Sequence, residues 1–148
     1  MFVSAGFEPP QGLEADAFRL EPLGPEHNER DYAAWSSSIE HIHASPGYGP
    51  ESRWPHEMSL EENLGDLERH ARDFAERTGF TYTVLDSDDD VIGCVYVYPA
   101  RDETHDVQVE SWVRESHADL DMPLREAVSD WLRRDWPFER PLYAPLLG

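Results

Sequence analysis

Apolar and polar side chains alternate over Phe18-Arg19-Leu20-Glu21-Pro22-Leu23, the period of a strand with one buried face. Further on, Asn28 with Asp31 three residues later predicts a capped helix start. Tyr32, Trp35 and Ile39 fall on one side of that helix, which should end near Ile42. The stretch from His43 to Met58 holds Pro46, Gly47, Gly49, Pro50 and Pro55 and reads as a long loop carrying aromatic residues. Ser59-Leu60-Glu61-Glu62 is a capping box. Leu60, Leu64, Leu67, Ala71 and Phe74 then recur at spacings of three and four, with Gly79 as the expected stop.

Phe80 to Leu85 and Val91 to Tyr98 are rich in β-branched and aromatic residues, and Asp86-Ser87-Asp88-Asp89-Asp90 between them supplies a hairpin turn. Val107, Val109, Ser111 and Val113 alternate with Gln108, Glu110 and Trp112 as a third consecutive strand. Leu124, Ala127, Val128, Trp131 and Leu132 line one side of a later helix, and Trp112, Trp131 and Trp136 read as core. Pro141 to Leu146 reads as a short last strand, with Pro145 confining it to an edge. The order is β-α-α-β-β-β-α-β, an α+β fold with a mostly antiparallel sheet and a final βαβ crossover. Residues 1–17 read as a tail or irregular lead-in, and 18–148 as a single domain.

With 148 residues the chain suits one domain that needs no disulfide or metal staple. Cys94 is the only cysteine, so no internal disulfide forms, and no apolar run is long enough for a signal peptide or a membrane span; a cytoplasmic protein is the expectation. The formal net charge of −19 repels nucleic-acid backbones and anionic lipid and favours cationic partners. All twelve basic residues are Arg.

The element order, together with Val91-Ile92-Gly93-Cys94-Val95-Tyr96-Val97-Tyr98 and Val107-Gln108-Val109-Glu110-Ser111-Trp112-Val113, resembles the Gcn5-related N-acetyltransferase (GNAT) family over Phe18 to Leu146. The resemblance implies acetyl-CoA lying in a splay between Val107–Val113 and the last strand, along Val109, Ser111, Trp112 and Val113. Its diphosphate would rest on the backbone of a glycine-rich loop opening the next helix. Here the sequence departs from the pattern, because that loop reads His117-Ala118-Asp119-Leu120-Asp121-Met122. Both small positions hold large side chains, and two negative charges at about 4 Å repel by roughly 4 kcal/mol at an effective dielectric of 20. Arg114, His117 and Arg125 are the cations available to offset them.

Glu110 stands where some members of that family place a carboxylate that deprotonates the substrate amine; the competing reading is a solvent-facing strand residue in phase with Gln108. Tyr143 is the candidate proton donor to the leaving thiolate, against a plain packing role. Cys94 has no base placed near it. His41 and His43, with His56, suggest a metal site, but a His-x-His pair shares a face on a strand and this pair falls at a helix end, so they read as polar loop residues. Glu40, His41, His43, Tyr48 and Trp54 instead form the candidate substrate contact, since the matching connection in the family borders the acceptor pocket. Asp86, Asp88 and Asp90 lack the glycine and glutamate of a calcium loop. Two functions stay open: an acyl-CoA-dependent N-acetyltransferase with an acidic mouth for a small cationic amine, and a catalytically inactive GNAT-like binding module that has lost acetyl-CoA. An open terminal strand edge also allows a homodimer.

Overall fold

The computed structural model describes residues 1–49 and 52–143. Six strands run in the order β1-β2-β3-β4-β5-β6: Leu13–Glu14, Arg19–Pro22, Phe80–Leu85, Val91–Tyr98, Val107–Val113 and Pro141–Leu142. Every neighbouring pair is antiparallel except β5 and β6, which are parallel and joined through a helix. The helices are α1 (Asn28–Ser36), α2 (Ile39–His43), α3 (Leu60–Glu76) and α4 (Asp121–Asp135). The sheet and helix order are those expected of an α+β GNAT-like fold. The last strand is described only through Leu142; Pro145 and Leu146 lie outside the described residues.

Alternate residues along the strands feed two cores. Val95, Val97, Val107, Val109 and Val113 pack with Leu124, Val128, Trp131 and Leu132 of α4. Cys94 and Trp112 point the other way, to Ala34 and Trp35 of α1, Ile42 of α2 and Leu67 of α3. The sheet therefore lies between α4 on one face and the first three helices on the other. Within the lead-in, Val3 is buried, Phe2 and Phe7 pack on the α4-side core, and β1 pairs with β2.

Four local expectations are corrected. The single helix from Asn28 to Ile42 is two, because Ser37 Oγ bonds back to the carbonyls of Ala33 and Ala34, while the Oγ of Ser38 accepts the N–H of Glu115. Asn28 does not cap α1. His27 holds that position without a side-chain bond, and Asn28 instead donates to the Leu60 carbonyl and accepts from Asn63. The Ser59–Glu62 box forms with both bonds in place, yet Leu60 is 40% exposed and the residue that α3 buries one turn on is Asn63. Finally, α3 stops at Arg77, which takes a left-handed φ of 65°; Gly79 serves close packing, since a Cβ there would enter the Tyr98 ring.

Candidate functional site

Between the sheet face of β4 and β5 and the helices α1 and α3 lies a cavity of about 770 Å³. Its floor comes from strand phase: Tyr96 of β4 and Glu110 of β5 are register partners on the face shared with Cys94 and Trp112. Glu110 is thus not turned to bulk solvent. Burial pushes its carboxyl above the usual range, and Arg101, at 3.6 Å, and the Gln108 amide work against that rise. Gly47 approaches Glu110 so closely that a Cβ would stand 2.8 Å from Oε2, and its φ of 92° suits glycine. Glu110 also lines a smaller cavity of about 90 Å³ with Gly47, Arg125 and Leu142.

Of the residues expected at the substrate, Tyr48 and Trp54 line the large cavity. Trp54 meets Trp35 and Trp112 at a tilt, with ring centroids at 5.6 and 5.8 Å, and Tyr48 meets it edge-on. The structure does not bring Glu40, His41 or His43 into that lining. Glu40 is exposed on α2, and His41 Nε2 is buried without a hydrogen-bond partner among the described residues. His43 pins the loop: Nδ1 lies 2.9 Å from the Tyr48 carbonyl and Nε2 2.7 Å from that of Pro55. Among the described residues, no three His, Cys, Asp or Glu gather as metal ligands.

Sequence reasoning missed Asp31, Asn63, Asp66, Arg69, His70, Tyr96 and Arg101, all of which line the cavity. One signal was available: Asn63, Leu67, His70 and Phe74 repeat at four, three and four, so two polar residues sit on the apolar stripe of α3. Asn63 accepts from Trp35 Nε1 at 3.0 Å and donates to Asp31 at 3.1 Å. Burial lifts the Asp31 carboxyl to about 6, against the pull of Asn63. The lining is not acidic throughout: Arg69 and Arg101 stand beside Asp66 and Glu110, so the rim carries both signs.

The strands β5 and β6 pair only at Val107 with Pro141 and Gln108 with Leu142 among the described residues. Beyond them side chains span the gap. Tyr143, fully buried, shares a 2.5 Å hydrogen bond with Ser111 Oγ, and burial raises its hydroxyl to about 12. Arg125, 1% exposed, lies over the Tyr143 ring at 5.4 Å, bonds Asp121 at 3.1 Å and reaches toward the Ser111 carbonyl at 3.5 Å. Val109 and Val113 face the α4-side core and Trp112 the opposite one, donating to the Tyr96 hydroxyl.

The turn into α4 bears on coenzyme A. Arg114 precedes a 3₁₀ turn over Glu115–Leu120 that contains no glycine, and α4 opens at Asp121 without a side-chain cap. Glu115 and Asp119 are exposed there, and the Asp121 carboxylate is matched with Arg125. Arg114 donates to the Val91 carbonyl, and its buried Nε is partnerless but closed off from solvent. His117 turns to Ser116 and Asp86. These residues do not fit a diphosphate cradle, which needs backbone N–H groups approachable without a Cβ and without acids around them.

A mostly antiparallel six-strand sheet ending in a parallel β5–β6 pair joined through the helix α4 has the layout of the GNAT class of fold. The chain superposes on ribosomal-protein-S5-alanine acetyltransferase from Vibrio fischeri with a TM-score of 0.66 and 15% identity, over 89% of this chain and 72% of that one. For the microcin C7 self-immunity acetyltransferase MccE, solved with acetyl-CoA and AMP, the values are 0.65, 12%, 84% and 66%. For FdhC, a nucleotide-linked sugar GNAT, they are 0.63, 14%, 89% and 71%. By sequence, no family model and no curated protein matches. The chain has the GNAT fold.

Proposed function

We propose that the chain is an N-acetyltransferase of the GNAT fold, that its large cavity receives a small cationic amine, and that Glu110 accepts the proton the amine must lose. The observation that carries this reading is the position of Glu110, which alone among the described carboxylates lines both the large cavity and the small one beside Arg125 and Leu142. Its raised affinity for a proton suits a base working near neutral pH, and Arg101 holds its charge while no amine is bound. Acetyl-CoA is the donor bound in MccE. Tyr143, directly after β6 and held by Ser111, is the candidate proton donor to the leaving thiolate.

A second reading, a binding module of the same fold without the coenzyme, is favoured by the acidic 3₁₀ turn and by Arg125 and Tyr143 filling the gap between β5 and β6. Calorimetric titration with acetyl-CoA and with coenzyme A separates the two. Heat in the micromolar to millimolar range is expected for the enzyme, and its absence with no thermal shift overturns that reading. In the enzyme, Leu120→Gly combined with Asp119→Ala should tighten coenzyme binding by removing a Cβ and a charge at the turn. A homodimer would form through the open edge of β6.

A further inference from the structure

His70 sits on α3 beside Tyr96 on the cavity wall and belongs to a chain of hydrogen bonds whose protons can be counted. Asp73 is the far end, and its carboxylate only accepts. Tyr98 donates to Asp73 Oδ2 at 2.8 Å, which uses the single proton of the phenol. Toward His70 Nδ1, 2.9 Å away, the Tyr98 oxygen is therefore an acceptor, and Nδ1 must carry the ring hydrogen. Thr81 Oγ1, 3.1 Å from the same nitrogen, serves as a second acceptor. The proton on a neutral imidazole is then accounted for, and Nε2 keeps a lone pair. Nε2 has no hydrogen-bond partner among the described residues.

The ring is neutral near pH 7, since burial, aided by Arg69, drives its pKa down to about 4 against the pull of Asp73 and Asp66. Those groups, with Tyr96 and Tyr98 from β4 and Thr81 from β3, are what face it. Tyr96, register partner of Glu110, stands with its ring 5.6 Å from that of His70. Around the Tyr96 ring the cavity thus presents a neutral imidazole from α3 and the Glu110 carboxylate from β5, while Asp31 and Asp66 complete its acids.

We propose that His70 Nε2 accepts a hydrogen bond from the bound amine and orients it, while Glu110 takes the proton. This rests on the amine reading above. A second carboxylate at this place would stabilise the ammonium ion and hold the nitrogen lone pair out of use; a neutral imidazole orients an N–H without adding negative charge. Asp73 and Tyr98 are the positioning residues that fix the tautomer.

Two-bond proton–nitrogen spectra of the full chain, uniformly labelled with heavy nitrogen and carbon, read the His70 tautomer directly, the same sample reports Glu110 and Tyr96, and putrescine serves as the amine probe. The expected result is Nδ1–H with an unprotonated Nε2 whose resonance moves on titration. His70→Phe should weaken putrescine about tenfold, the loss of one hydrogen bond, and His70→Gln should restore part of it. An Nε2–H tautomer in the free protein overturns the inference. So does a titration that moves Glu110 and Tyr96 resonances but not those of His70, and this leaves the amine reading standing. If putrescine moves none of the cavity resonances, both fall together.

Discussion

Asp31 and Asn63 form the buried polar centre of the cavity wall, and the free energy of that centre depends on pH. The carboxyl titrates near 6 in the folded protein, above its ordinary value, because burial opposes its charge more strongly than Asn63 and His27 favour it. A raised acid binds more protons folded than unfolded. Its contribution is therefore favourable below pH 4 and is lost as the pH climbs to about 6, a change of about 3 kcal/mol. Asp31→Asn keeps an oxygen for Asn63 and removes the charge. The variant should gain stability over the parent between pH 4 and 6 and hold a constant advantage above that, as urea melts at pH 4.5 and 7.5 will measure. Neither residue's role was legible in the sequence, where Asp31 reads as a capping residue. Only tertiary approach of α1 to α3 gives it a buried partner 32 positions away.

At the scale of elements, strong periodicity was legible and termination was not. The hairpin of β3 and β4, the strand β5 and the helix α4 follow their patterns, since each buries a face large enough to fix its own phase. Boundaries went to local chemistry that competes with the pattern: the two serines that split α1 from α2, and Arg77 accepting a left-handed turn ahead of the glycine. Asn63 shows why the stripe of α3 misleads, because a polar residue occupies a core position and earns its place by joining Trp35, Asn28 and Asp31. Asn63→Ala should strand the indole N–H and the buried carboxylate together. A loss of about 3 kcal/mol is expected in urea denaturation, with α1 losing amide protection before the sheet does.

Across the whole molecule, charge set expectations that geometry refined. A surface at −19 attracts cations from a distance, yet the rim of the cavity places Arg69 and Arg101 beside its acids, a detail no overall count contains. As a residue of the cavity lining, Glu110 was legible from the GNAT resemblance, whereas its strand phase with Gln108 read as solvent-facing. His70 was not, because its role depends on Tyr98 and Asp73 coming together from β4 and α3. The departure at His117–Met122 was legible as text, and the fold turns it into a physical object: an acidic 3₁₀ turn backed by a buried arginine.

His43 ties chemistry to acidity in a second way. Both carbonyls it faces can only accept, so the ring must carry two protons to hold the loop that brings Tyr48 and Trp54 to the cavity, and those bonds raise its pKa. Its hold is complete below the ordinary histidine value and fades as the pH rises through the raised one. Amines need the opposite, since they become nucleophiles as the medium turns alkaline. On the amine reading proposed above, activity is therefore expected in a window, shut on the acid side by the amine's own proton and on the alkaline side by a loosening loop. Trp54 fluorescence followed against pH should change at that upper edge, and His43→Gln should flatten the curve.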